Sequence, residues 1–219
     1  MRILIVAATS IELAPVVAGL REMSERGPRL TRYAHAAHDV DVLTTGVGMV
    51  ATAAWCSHVL AVSRYDVALN IGVCGSFDEA LKPGDVVQVV TDRIAELGAE
   101  DGEAFLSIHE LNLPGEHEFT NLAPPANAAL GRLPSVSGIT VNTIHGNARS
   151  IAAVTERFRP QVESMEGAAF MQACLIHEVT FAQVRAVSNV VERRNRDAWK
   201  LADAIGVLGT TALSILDQA

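Results

Sequence analysis

Charge is scarce in this sequence and positive charge especially so: acidic and basic residues make up 19% of the chain and leave a formal charge of −8. A nucleic-acid binder needs Lys and Arg gathered on one face to meet the phosphate backbone, so the composition argues against that class. Cysteine is limited to Cys56, Cys74 and Cys174, an odd number with no Cys-x-x-Cys spacing. This speaks against a disulfide framework and for free thiols in a reducing, cytoplasmic setting. Long hydrophobic runs are missing too. Nothing approaches the roughly eighteen uncharged apolar residues of a membrane span, and the run behind Arg2 meets Glu12 too soon for a signal peptide. The histidines (His35 and His38, His109 beside Glu110, His117 beside Glu118) lack the i, i+4 pairing of a zinc helix, and no Gly-x-Ser-x-Gly elbow occurs. The expectation is a protein with no metal or organic cofactor, bound to neither nucleic acid nor membrane.

What is present is 219 residues, 49% of them hydrophobic, with no linker or repeat, which suits one domain over residues 1–219. Ile3–Ala8 is a short branched apolar run, the mark of a strand buried on both faces. Thr9 or Ser10 then caps a helix expected to reach about Glu25. Asp39–Thr45 reads as a second strand ending in Gly46-Val-Gly48, followed by a helix from Met49 to about Val62. Asp66–Ile71 is a third, running into Gly72-Val-Cys-Gly75, and Lys82-Pro-Gly-Asp85 turns into the strand Val86–Val90. Periodicity fades over 99–125, which reads as an irregular excursion. A short helix at Ala126–Leu133, a strand at Gly138–Thr143, a helix opening near Val162, a strand at Phe181–Val187 and an amphipathic helix at Ala198–Leu216 complete the order. Strands alternating with helices predict an α/β class with a mainly parallel sheet and helices on both faces.

The stretch Val162–Phe170, Val-Glu-Ser-Met-Glu-Gly-Ala-Ala-Phe, carries two acids three residues apart, followed by small residues that let a helix lie close to a neighbour. Read as a helix start, it puts Glu163 and Glu166 in a first turn, where the dipole alone would favour them. Gly46-Val-Gly-Met-Val-Ala51 fits a dinucleotide fingerprint after a strand. The acid that should end the next strand instead begins it, as Asp66, so the glycines read as a tight turn with close helix packing.

Met165-Glu166 before small residues, with Arg185-Ala-Val-Ser188-Asn189 about twenty residues on, resembles the nucleoside phosphorylase and nucleosidase superfamily. Asn142-Thr-Ile-His-Gly146, Val162–Phe170 and Val187-Ser-Asn-Val-Val-Glu-Arg-Arg-Asn195 are similar, more narrowly, to the futalosine hydrolases, nucleosidases of menaquinone biosynthesis. The likeness runs from Arg2 to about Leu213. It implies a three-layer α/β/α nucleoside phosphorylase-like fold with a mixed, mainly parallel sheet, a homo-oligomer (a homodimer or larger) and a small-molecule nucleoside substrate. It also implies roles: Glu12 as water-activating base, Glu166 with Met165 at the ribose, and Arg185, Ser188 and Asn189 at the purine. Cys74, Gly75, Thr143, His145 and Gly146 are then expected around the substrate, and Arg193 in the basic cluster Arg193-Arg-Asn-Arg196 near its distal end.

Those roles suit the chemistry. Cleaving an N-ribosidic bond passes through an oxocarbenium-like sugar that a nearby carboxylate stabilises, and the attacking water must lose a proton. Arg185 is a candidate to orient Glu12. The family commonly has Asp where this chain has Asn189, whose amide offers both a donor and an acceptor and so matches a 6-oxopurine such as hypoxanthine. No arginine lies between Ile3 and Leu20 or within Gly72–Phe77, so water is favoured over phosphate as nucleophile. The rivals are a methylthioadenosine/S-adenosylhomocysteine or inosine nucleosidase or phosphorylase, and, from another class, a non-catalytic nucleoside-binding protein.

Overall fold

A computed structural model describes residues 1–219. The chain runs β1 (Arg2–Ala7), α1 (Ser10–Val17), β2 (Arg21–Gly27), β3 (Leu30–His35), β4 (His38–Thr44), α2 (Met49–Val62), β5 (Val67–Ser76), β6 (Val86–Ile94), β7 (Gly98–Asp101), β8 (Ala104–Ser107), β9 (Glu118–Thr120), β10 (Ser135–Thr140), α3 (Ala148–Phe158), β11 (Val162–Ser164), α4 (Gly167–Ile176), β12 (Phe181–Val190) and α5 (Leu201–Asp217).

β1 shows how the layers arise. Successive side chains of a strand point to opposite faces: Ile3, Ile5 and Ala7 join α1 and α5 residues such as Val16, Leu208 and Ala212 in one core. Leu4 and Val6 join Cys56 and Val59 of α2 and Phe170 and Cys174 of α4 in the other. Both faces of the strand are therefore covered, giving the three α/β/α layers expected. The sheet is parallel where β1 lies between β4 and β5 and where β5 meets β12. Antiparallel neighbours are added by β3, by β6 and by β9. At one end the sheet closes on itself: β11 pairs with β10 on one side and with β5 on the other, completing a ring of β5, β12, β6, β10 and β11.

Several elements differ from expectation. The first helix ends at Val17, with Pro15 inside it, and Arg21–Gly27 instead pairs with Leu30–His35 as a hairpin at the sheet's edge. Its first strand, Arg-Glu-Met-Ser-Glu-Arg-Gly, is exposed throughout; charge on an open edge opposes pairing with other chains. The 99–125 excursion contains the β7–β8 hairpin and β9, which joins β6. Ala126–Leu133 forms only a short 3-10 turn at Leu130–Arg132. A helix absent from the sequence reading, α3, is capped by Asn147, whose side chain accepts from Ser150 N at 2.9 Å. Arg196–Asp217 is long and apolar enough by composition to cross a membrane. Asp203 interrupts that stretch, and Ala204, Leu208, Ala212 and Leu216 pack into the sheet, so α5 serves as a core helix.

Candidate active site

A cavity of about 320 Å3 opens where the C-terminal ends of β1 and β5 meet the closed ring. Ligands gather at such strand ends in open α/β sheets. Glu12, Cys74, Gly75, His145, Met165, Glu166, Ser188 and Asn189 all line it, drawn from five separate stretches of the chain, and Ile11, Val47, Val73, Ile144, Trp199 and Ile205 supply apolar wall.

Glu12 is held by the start of its own helix. Thr9 caps α1 in a reciprocal box: the Thr9 backbone N–H and hydroxyl donate to Glu12 Oε2 at 3.0 and 2.7 Å. Val73 N donates to Oε1 at 3.2 Å, tying the carboxylate to β5. At 8% exposed, it is a positioned acid and not a solvated one.

Glu166 does not sit in a first helical turn, and neither does Glu163. Glu163 lies in β11, and Glu166 is the residue immediately before α4. Its side chain makes no capping bond to α4 because other groups meet that helix's open N–H donors: Thr140 Oγ1 accepts from Ala168 N at 2.8 Å and Ser164 Oγ from Gly167 N at 3.4 Å. The carboxylate is thereby released toward the cavity, where Gly48 N donates to Oε1 at 3.0 Å. Gly48 presents that N–H from φ 98°, a left-handed conformation that a residue with a Cβ adopts only under strain. Burial pushes the Glu166 carboxyl up, with the Glu12 charge adding to it, against the opposing pull of Arg185 and the Gly48 bond.

Thr140 is anchored from below. Its hydroxyl donates to Asp92 Oδ1 at 2.9 Å, and Gln183 Nε2 donates to Oδ2 at 2.9 Å. Gly167 permits the contact, because a Cβ there would lie 2.1 Å from Asp92 Oδ2. Burial raises the Asp92 carboxyl to about 6, outweighing the two hydrogen bonds. The folded state then holds this proton more tightly than the unfolded chain, so the contribution is full below about pH 4 and is lost as pH rises through about 6. Asp92→Asn should remove that dependence. The stability gap between wild type and variant should shift by on the order of 3 kcal/mol between pH 4 and 7, at about 1.4 kcal/mol per pKa unit. Urea unfolding at both pH values measures it, and parallel pH curves for the two proteins would contradict it.

Ser188 and Asn189 both reach the cavity because β12 bulges. Val187 pairs with Cys74 and Asn189 with Gly75, leaving Ser188 as an extra residue, and a bulge of this kind re-aims side chains. The single Ser188 hydroxyl proton is shared between the Cys74 carbonyl at 3.1 Å and Asn189 Oδ1 at 2.8 Å, and Asn189 Nδ2 donates to Val190 O at 2.9 Å. One N–H of the amide remains. Burial pushes the Cys74 thiol up to about 12, so it lines the floor as a neutral group.

Four expected residues are not on the cavity wall. Arg185 is opposite Gly72 in register and its guanidinium folds into the space a side chain would fill, with Nη1 2.2 Å from where a Gly72 Cβ would stand. Only 1% exposed, it donates through Nη2 to Asn70 Oδ1 and has no carboxylate within ion-pair distance. It therefore lines no part of the cavity and does not pair with Glu12, and its charge acts from beneath on Glu166. Thr143 faces solvent while its neighbours Ile144 and His145 turn inward. Gly146 contributes a carbonyl that accepts from Arg194 N at 3.0 Å. Arg193 is exposed, and the neighbouring Arg194 is the one placed against the site, 5.8 Å above the ring of the wall residue Trp199.

Two contributors were not read from the sequence. Trp199, one of two tryptophans, could have been found only from its place just before the last helix. The other is the pairing of Glu163 with His145: Glu163 Oε2 lies 2.6 Å from His145 Nδ1, and Oε1 accepts from His145 N at 3.1 Å. Arg29, distant in sequence, comes within reach of the Gly46 turn. It donates to the Thr44 and Thr45 carbonyls and lies over Trp55, so no guanidinium lines the cavity.

A family model described as the phosphorylase superfamily matches residues 2–217. The chain is 30% identical to a futalosine hydrolase of Streptomyces coelicolor over 95% of this chain and 92% of that one, and 30% identical to one of Thermus thermophilus over 80% of each. Among solved structures, the native futalosine hydrolase of Helicobacter pylori superposes with a TM-score of 0.86 at 15% identity, covering 100% of this chain and 98% of that one. A methylthioadenosine/S-adenosylhomocysteine nucleosidase of Colwellia psychrerythraea in complex with adenine gives 0.81 at 22%, covering 100% and 95%. At these identities the two structures bear on the fold alone.

Proposed function

The chain belongs to the phosphorylase superfamily and is an N-glycosyl hydrolase akin to the futalosine hydrolases, and from that footing we propose that it hydrolyses the N-ribosidic bond of futalosine and releases hypoxanthine. The observation that carries the mechanism is the convergence of Glu12 and Glu166 on one cavity that Ser188 and Asn189 also line. Water attacks the anomeric carbon as Glu12 takes its proton. Glu166, desolvated and with no cation within ion-pair distance, holds the ribose hydroxyls and stabilises positive charge as it develops on the sugar, an interaction strengthened by the low local dielectric. The remaining Asn189 N–H meets an acceptor of the departing 6-oxopurine. Two carboxylates and no wall guanidinium would repel phosphate.

The proposal includes a cytoplasmic homo-oligomer. Three buried free thiols support the first part, and Ile11 and Val47, which line the cavity yet remain exposed, support the second. Incubation with futalosine, inosine and methylthioadenosine, with and without phosphate, tests the activity. Hypoxanthine released from futalosine in the absence of phosphate is the expected result. A phosphate requirement, or adenine as the product from methylthioadenosine alone, would overturn it.

Futalosine carries an aryl carboxylate beyond the ribose. Trp199 gives an aromatic wall with the Arg194 guanidinium over it, and Arg194 has no carboxylate partner in the chain. An ion pair at such an open site contributes up to about 1 kcal/mol. Arg194→Ala should therefore raise KM for futalosine about fivefold and leave that for inosine unchanged. Equal KM values in variant and wild type would remove Arg194 from the substrate's distal end.

A further inference from the structure

When the C1′–N9 bond breaks, its electron pair goes to the purine, and a proton delivered there makes the base a better leaving group. Asn189 has no proton to release at neutral pH. Nor do the other groups near the base end serve: the Cys74 thiol is buried and neutral, and Asp92 is sealed beneath α4 away from the cavity. The pair formed by His145 and Glu163 stands in that place. Glu163, 4% exposed, turns both oxygens to His145, one to the ring and one to the backbone N–H. With Nδ1 committed to the carboxylate, the other ring nitrogen, Nε2, has no protein partner, on a side chain that lines the cavity. Gly75 brings the pair next to the purine contact: it pairs with Glu163 on one side and Asn189 on the other. A Cβ on Gly75 would lie 3.3 Å from Asn189 Nδ2 and 3.5 Å from Glu163 Cγ.

We propose that His145 is the general acid of the reaction, donating a proton from Nε2 to the departing purine, with Glu163 as the positioning residue that holds the imidazole and stabilises its cationic form. This rests on the nucleosidase reading above. In the step, the C1′–N9 pair moves onto the purine, whose imidazole-ring nitrogen N7 takes the His145 proton; the water oxygen bonds to C1′ and its proton passes to Glu12. Afterwards Glu12 gives one proton to solvent and His145 takes one up, so that water alone is consumed. The arrangement is the carboxylate–imidazole–substrate order of acid–base sites, in which the carboxylate fixes the ring's tautomer and supports its charge.

The test compares futalosine with futalosine methylated at N7, whose base departs without needing a proton. His145→Gln should slow release of hypoxanthine at least tenfold and release of the methylated base by less than about twofold. Glu163→Gln should fall between wild type and His145→Gln on futalosine, with the methylated substrate again spared. Near-normal cleavage of the methylated substrate also reports that each variant is folded. Equal slowing on both substrates would make the pair a binding or structural element and overturn the role, and so would an unimpaired His145→Gln on futalosine. Wild-type protein that releases base from neither substrate would overturn the function itself, and this role with it.

Discussion

Glu12→Gln and Glu166→Gln are each expected to lower turnover by about 100-fold or more, the low end of what a positioned acid or base contributes. The two should differ in every other respect. Glu12 accepts three hydrogen bonds, two from Thr9 and one from Val73 N. A glutamine can keep its oxygen toward Thr9 only by turning its NH2 toward the Val73 N–H, leaving one donor unmet at a cost of about 1 to 2 kcal/mol of stability. Glu12→Gln should thus be measurably less stable, with KM little changed, because its work lies in removing the water's proton. Glu166→Gln keeps an acceptor for Gly48 N and loses a charge that burial already disfavours. Its stability should be equal to or above that of wild type, while kcat/KM falls because the sugar's positive charge is no longer met. Steady-state kinetics with urea unfolding on both purified variants measures this. Turnover within tenfold of wild type for either would remove that residue from the chemistry.

Asn189→Asp is expected to shift the ratio of catalytic efficiencies on 6-oxo and 6-amino forms of the same nucleoside by about ten- to a hundredfold toward the amine. Asn189 Oδ1 accepts from Ser188 Oγ and Nδ2 donates to Val190 O, so one N–H is left for the base. Exchanging NH2 for oxygen removes that donor and places an oxygen lone pair against the Val190 carbonyl. If ionised, the new group also faces a purine that is gaining electrons. A 6-amino base offers an N–H that the carboxylate accepts, so it is spared part of the loss. One lost or mismatched hydrogen bond in a partly buried site costs about 1 to 3 kcal/mol, which sets the range. A ratio unchanged within about twofold would mean that Asn189 does not read the base, and the 6-oxopurine assignment would lose its support.

Much of the site was legible because it depends on local signals. Glu12 follows a capping threonine after a buried strand, and Met165-Glu166 precedes small residues at the opening of a helix, so both could be placed at one edge of the sheet. Arg185 was misread because its position is decided by its partner across the sheet: the glycine at 72 leaves a space that the guanidinium fills, and no spacing within β12 records this. Glu163 and Glu166 looked like neighbours in one helical turn, yet β11 ends between them, since Val162–Ser164 is claimed by β10 and β5. In the β2–β3 hairpin at the edge, β2 is exposed throughout and β3 only half-buried, so periodicity has little to show there. The third helix buries only Val154 and was passed over for the same reason, although its Asn147 cap was a readable start signal.

The ring of β5, β12, β6, β10 and β11 sets how the site can breathe. An open sheet can part at an edge, but strands paired on both sides cannot separate without breaking two ladders at once. Gly75, Glu163 and Asn189 belong to that ring, so the wall beside the purine stays fixed through a catalytic cycle. Passage in and out then falls to the two irregular segments beside it, around His145 and around Arg194, which are joined by the bond from Arg194 N to the Gly146 carbonyl. A single bond between two loops opens at lower cost than ladders that flank a strand on both sides, so motion here is expected first in these segments, and hydrogen exchange should be slower in β5 and β12 than in them. Entry and exit of a ligand are therefore expected to follow the segments that carry His145 and Arg194, above strands that hold still.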